Sequence, residues 1–91
     1  MNLDSRYAVQ AGIRFRYEDF GGIVYRRSDD RLYILNSHLA VDLLYGAGTG
    51  KVRDIAAKAG ADLPNQQAAG EHILKLLGYL EELGLVYELE H

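Results

Sequence analysis

From residue 13 to residue 17 the chain alternates strictly: Ile13, Phe15 and Tyr17 are apolar or aromatic, with the charged Arg14 and Arg16 between them. A period of two marks a strand with one buried face, so Ile13, Phe15 and Tyr17 are expected inward and the two arginines outward. Glu18-Asp19-Phe20-Gly21-Gly22 predicts a turn, because paired glycines reach backbone angles closed to branched residues. Residues 23–27 read as a second strand, and Ser28-Asp29-Asp30 as a hairpin connector in which aspartate is tolerated. Residues 31–35, Arg-Leu-Tyr-Ile-Leu, read as a third strand, with Leu32 and Ile34 on one face and Tyr33 and Leu35 on the other. Both faces of this strand are apolar, which is more than a half-solvated strand requires.

After residue 36 the period changes to that of helices. Asn36-Ser37 offers an N-cap, and residues 38–44 begin a first helix. The glycine-rich stretch 46–50 stops it. A short second helix is expected over residues 52–59, with Val52, Ile55 and Ala56 buried and Gly60 at its end. Beyond Pro64 a long third helix is expected from about residue 66 to 83. Its stripe of Ala69, Ile73, Leu76, Leu77, Leu80 and Leu83 is broad enough to cover the sheet. A second row on this helix, His72, Lys75, Leu76 and Tyr79, has the mixed character of a groove lining or of a solvated flank. Gly84 ends the helix, and residues 85–87 can return as a short extended tail. The expected fold is α+β: a three-stranded antiparallel sheet followed by three helices, in a winged helix-turn-helix-like outline. Because only helices follow the third strand, its outer edge is the expected working surface.

At 91 residues the chain has room for one domain and a single core. The weak alternation of residues 1–12 predicts a flexible N-terminal arm; residues 13–88 are expected to form the domain, and residues 89–91 read as a tag remnant. There is no cysteine, hence no disulfide, thiolate metal site or cysteine nucleophile. No apolar run is long enough for a membrane span and the N-terminal residues lack a signal-peptide pattern, so a cytoplasmic location is expected. The net charge is −3 and unevenly placed: six arginines face five acids in residues 1–36, and four bases face eight acids in residues 37–91.

Catalytic and metal chemistry find little support. Tyr45-Gly-Ala-Gly-Thr-Gly-Lys51-Val52 has tyrosine where a phosphate loop needs its first glycine and valine where it needs a hydroxyl, and it follows a helix where a strand is needed. His38, His72 and His91 share no ligand spacing, and His38 with Asp42 alone is a weak metal pair. The pairs Glu18-Asp19 and Asp29-Asp30 occupy turns. The expectation is therefore a non-enzyme without a cofactor. DNA binding is the rival class, since Asn65, Gln66 and Gln67 open the third helix. However, no base follows them until Lys75, and Asp62 and Glu71 flank them, which leaves phosphate contacts poorly supplied.

The stretch Glu18-Asp19-Phe20-Gly21-Gly22-Ile23-Val24-Tyr25, followed by Arg31-Leu32-Tyr33-Ile34-Leu35-Asn36-Ser37, resembles the PqqD-like family, and within it the mycofactocin branch. These are the recognition elements of pathways that make ribosomal, post-translationally modified peptides. The resemblance spans about residues 13–87, and the acidic Phe-Gly turn is its most specific part. It implies a non-catalytic peptide chaperone: the leader of a precursor peptide adds to the third strand, lies in the groove between that strand and the third helix, and is presented to a radical S-adenosylmethionine enzyme carrying its own iron–sulfur clusters.

The residues themselves point to a compatible surface. An unpaired edge offers a row of main-chain donors and acceptors, and flanking side chains then select the peptide. The expected binding residues are Arg31, Leu32, Tyr33, Ile34, Leu35, Asn36, His72, Lys75, Leu76 and Tyr79, with one alternate set of the strand's side chains facing the groove. Arg26 and Arg27 are expected to steer an acidic, aliphatic leader. The alternatives are a winged-helix DNA-binding regulator and a homodimer paired through the edge strand.

Overall fold

The computed structural model describes residues 1–59 and 66–89, with the backbone alone for residues 66–69. In chain order its elements are β1 (Tyr7–Val9), β2 (Ile13–Glu18), β3 (Gly21–Arg26), β4 (Arg31–Leu35), α1 (His38–Gly46), α2 (Val52–Lys58), α3 (Gln66–Glu82) and β5 (Val86–Glu88). The antiparallel sheet has the order β2-β3-β4, and β1 pairs with β5 in a separate two-stranded ribbon. This is the expected α+β arrangement of a three-stranded sheet followed by three helices, with the ribbon added.

The sheet register sorts the side chains into two faces. Phe15, Val24 and Tyr33 form one cross-strand row and Tyr17, Gly22 and Leu35 the next, both on the side of the helices. Arg14, Tyr25 and Leu32, and then Arg16, Ile23 and Ile34, form the rows of the opposite side. Gly21 and Gly22 are the first residues of β3, not the end of the turn that the sequence predicted; the turn is Asp19-Phe20. Packing accounts for the shift. A Cβ on Gly22 would lie 2.3 Å from Val41 Cγ2, and one on Gly21, whose φ is 146°, would lie 2.1 Å from the Leu35 carbonyl oxygen. Helix α1 can therefore sit directly on the strand only because these side chains are missing.

That contact decides which helix covers the sheet. Helix α1 lies against β2, β3 and β4, while α3 packs against α1 and β5. The expectation that the long helix covers the sheet is thus corrected. Ser37 caps α1, its hydroxyl accepting from Ala40 N–H at 3.2 Å. Val24, Leu35, Val41, Leu43 and Leu44 meet Ile73, Leu77 and Leu80 of α3 in one core. Ala69, on the expected stripe, is described by its backbone alone, and Gly60, Asp62, Pro64 and Asn65 lie outside the described residues.

The first twelve residues are not a loose arm. Helix α2 has no side-chain cap at Lys51, and two of its first amides are taken by the arm's backbone: Val52 N–H donates to Ser5 C=O and Arg53 N–H to Leu3 C=O, both at 2.9 Å. A helix end without such partners would leave buried donors unpaired, so the arm serves as the cap. Tyr7 is fully buried, its hydroxyl donating to the Leu43 carbonyl at 2.5 Å, and burial pushes its ionisation well above the usual tyrosine range. Buried Ser5 donates to Glu88 Oε2 at 2.6 Å. The expected C-terminal tail is β5, in register with β1 at Tyr7 and Glu88. The ribbon continues into Leu89, expected as tag, whose N–H donates to Arg6 C=O at 2.8 Å. Residues 90 and 91 lie outside the described residues.

Candidate functional site

Among the described residues β4 forms one edge of its sheet, hydrogen-bonded to β3 alone. The hairpin before it is tight: β3 ends at Arg26, β4 begins at Arg31, and Asp30 takes a left-handed conformation with φ 54°, tolerated by aspartate better than by branched residues. Its carboxylate accepts from the Tyr25 hydroxyl, a bond that raises the ionisation of Tyr25 above its ordinary value.

Register resolves which alternate set of β4 faces the helices. Tyr33 and Leu35 do; Leu35 is only 4% exposed and belongs to the core, and Tyr33 is half-buried. Leu32 and Ile34, at 60% and 61% exposure, lie on the far face of the sheet. Arg31 and Asn36 are exposed, and Arg31 Nε lies 3.3 Å from an Asp29 carboxylate oxygen. The structure thus gathers Tyr33 and Leu35 on the helix side of the sheet and separates Leu32 and Ile34 from them.

On α3 the spacing of three and four residues places His72, Leu76 and Tyr79 along one flank, with Lys75 beside them. His72 and Lys75 are exposed, Leu76 is half-buried and Tyr79 is half-exposed at 51%. The opposite flank is occupied near Gly70, where a Cβ would lie 3.4 Å from Leu3.

Arg26 joins this flank to the sheet. It stands on the helix side of β3, in the same alternate set as Gly22 and Val24. Its guanidinium donates twice to Asp29, at 2.9 and 2.6 Å, and once to the carbonyl of Leu83, one turn beyond Tyr79. It also lies over the Tyr33 ring, 5.3 Å from the centroid, within cation–π range. The Arg26 guanidinium holds the Asp29 carboxyl below the usual carboxylate range, and Asp29 in turn raises the ionisation of Arg26. Gly84 makes room for the clamp, since a Cβ there would lie 2.7 Å from the guanidinium. Arg26 was expected as a free steering charge, whereas the structure engages all three of its nitrogen positions or faces in the clamp; Arg27 remains exposed. The signal available in the sequence was an arginine in the inward alternate set of a strand, three residues before an aspartate.

The other edge of the sheet, β2, is dressed differently. Phe15 meets Tyr45 of α1 edge-on at 4.6 Å between ring centroids, and Tyr17 stacks on Tyr45 at 5.0 Å. The Tyr17 hydroxyl donates to Asp42, and this bond, with a smaller contribution from burial, pushes its pKa up to about 12. His38 Nε2 is 2.7 Å from the Glu18 carbonyl, a contact between the first residue of α1 and the last of β2. Among the described residues no group of three His, Cys, Asp or Glu side chains is placed to hold a metal ion, and no helix is long and apolar enough to cross a membrane. The glycine-rich connector spends its own groups: Thr49 donates to the Gly46 carbonyl through both N–H and hydroxyl, and Gly48 N–H donates to Tyr7 C=O. For the rival DNA-reading surface, Asn65 lies outside the described residues, Gln66 and Gln67 are described by backbone alone, and Glu71 is exposed beside them.

No protein-family model matches the chain, and no curated protein is significantly similar to it. Among solved structures, the chain is similar to lasso peptide synthetase B1 complexed with the leader peptide, with a TM-score of 0.71 and 17% sequence identity over 90% of this chain and 98% of that one. The two proteins share a fold.

Proposed function

We propose that the chain is a non-catalytic peptide adaptor that takes the leader of a ribosomal precursor peptide as an added strand on β4. The observation that carries this reading is the open β4 edge, with Tyr33 on its helix side and Arg26 linking the Tyr33 ring to the Leu83 carbonyl at the end of α3, the helix whose flank bears Tyr79, Leu76 and His72. The complex of the similarly folded synthetase with a leader peptide supports it. Main-chain pairing supplies affinity that tolerates many sequences, and the aromatic and aliphatic side chains beside the edge select among them. Arg27 and Arg31 favour acidic leaders, and Arg26 shapes the hairpin end of the groove. The resemblance to the PqqD-like family extends the proposal to a radical S-adenosylmethionine enzyme as recipient, in a mycofactocin-type pathway and in the cytoplasm.

The test is a backbone amide NMR titration with the leader of the short peptide encoded beside this chain's gene. Shifts concentrated on residues 31–36 and 72–79 are expected. Silence there, together with perturbation of residues 66–71 by a DNA duplex, would overturn the adaptor reading in favour of a winged-helix regulator. Tyr79→Glu sharpens the result: the position is 51% exposed, so the chain should fold by circular dichroism while leader binding weakens. A charge-reversed leader should bind less well at low salt, and equal binding would remove the steering role of the arginines.

A further inference from the structure

The three-stranded sheet has a second face, turned away from α1, and it is not the polar face that a solvated sheet normally presents. Two cross-strand rows cover it: Arg14, Tyr25 and Leu32, then Arg16, Ile23 and Ile34. Leu32 and Ile34 are more than half exposed, Ile23 and Tyr25 are half-buried, and Arg14 and Arg16 are exposed along the β2 side. Between these side chains opens a shallow cavity of about 260 Å³ lined by Arg14, Phe15, Arg16, Ile23, Tyr25 and Leu32. A contiguous apolar strip rimmed by charge is what interaction surfaces look like, whereas scattered exposed leucines are ordinary.

The charges say what kind of partner fits. Arg16 is paired with Glu18 at 2.8 Å, and Asp30, at the hairpin end, is tied by the Tyr25 hydroxyl. Arg14 has no ion-pair partner among the described residues. The surface is therefore an apolar strip with a basic border on one side. Two arginines flanking aliphatic side chains, in a chain of net charge −3, are too few for a nucleic-acid backbone, whose binding rests on many phosphate contacts. A sheet face also offers no free backbone donors, so an added strand gains nothing there. Three strands about 4.8 Å apart span about 10 Å, the diameter of one helix with its side chains.

We propose that this face docks an amphipathic helix of a partner protein, its apolar side covering Ile23, Tyr25, Leu32 and Ile34 and its flank presenting carboxylates to Arg14 and Arg16. The surface is distinct from the β4 edge, and the proposal stands whether or not a peptide adds to that edge. If both hold, one sheet binds a strand along its border and a helix across its back.

The probe is a synthetic amphipathic helix of Leu and Glu, roughly 18 residues and about 27 Å long so that it runs the full length of the strands, titrated into the full chain by amide NMR beside a control with Lys in place of Glu. Shifts at Arg14, Arg16, Ile23, Tyr25 and Leu32 with the Glu helix are expected, with binding at least about tenfold weaker for the Lys helix. The double variant Arg14→Glu, Arg16→Glu, checked for folding by circular dichroism, should reverse that preference and leave leader binding at residues 72–79 unchanged. The proposal fails if the Glu helix does not bind, if both helices bind alike, or if the double variant does not alter the preference. Sedimentation supplies a further outcome: a dimer at micromolar concentration that Ile23→Ser dissolves would make the face a self-interface and overturn the partner assignment.

Discussion

The sheet has two edges, and they are finished in opposite ways. At the β2 edge the helix-side residues are locked into α1 by stacked rings and by the Tyr17–Asp42 bond. At the β4 edge a single guanidinium, that of Arg26, ties the hairpin to the end of α3, and the flank of that helix keeps an exposed tyrosine and lysine. On the proposed adaptor reading, an edge serves as a receptor where nearby side chains are left unspent, and a roofed edge is simply finished. Backbone alone cannot tell the two apart, since both strands present unpaired groups.

The largest expected effect tests the cross-strand row Tyr17, Gly22 and Leu35, whose ends lie at the two edges. Leu35→Ala empties a buried position and should cost about 2–5 kcal/mol in urea unfolding. Tyr17→Ala, at a position 48% exposed, should cost under about 1 kcal/mol. Equal losses would mean that the β2 aromatics carry as much of the fold as the core beneath β4. Next in size is binding: Tyr79→Ala should weaken leader affinity about tenfold, as loss of an aromatic anchor does, while Tyr45→Ala should leave it unchanged. A leader that loses affinity with Tyr45→Ala would move the site to the β2 edge. The smallest effect is alkaline. Tyr17 ionises near pH 10 in the unfolded chain and at about 12 in the folded one, so its contribution is whole below pH 10 and is lost as pH rises through 12. Tyr17→Phe should flatten that part of the stability profile slightly, because the ring is exposed and its bond well solvated.

Much of the fold was legible because local patterns carried it. The alternation of residues 13–17, the Asp29-Asp30 hairpin and the Ser37 cap each predicted an element found close to its expected place. The arm was misread because the reason for its order lies far away: Tyr7 pairs across the ribbon with Glu88 and donates to Leu43, and three weakly alternating residues cannot announce partners so distant. The glycines were read as turn formers because sequence shows a missing side chain but not the Val41 methyl that needs its space. For the proposed site, the strand and the helical row were visible, but which set of β4 side chains turns to the helices was not. Both of its alternate sets are apolar, so only register against β3 could assign Tyr33 to the helices and Leu32 to the far side.

The pairing of β1 with β5 brings the entering and leaving strands side by side on one wall of the molecule. A module wired in this way can be spliced into a surface loop of a larger enzyme without stretching either host or guest, and its two ends can be joined by a short linker while the backbone is reopened elsewhere. The β4 edge, built from neither of those strands, would keep its shape through such a transplant.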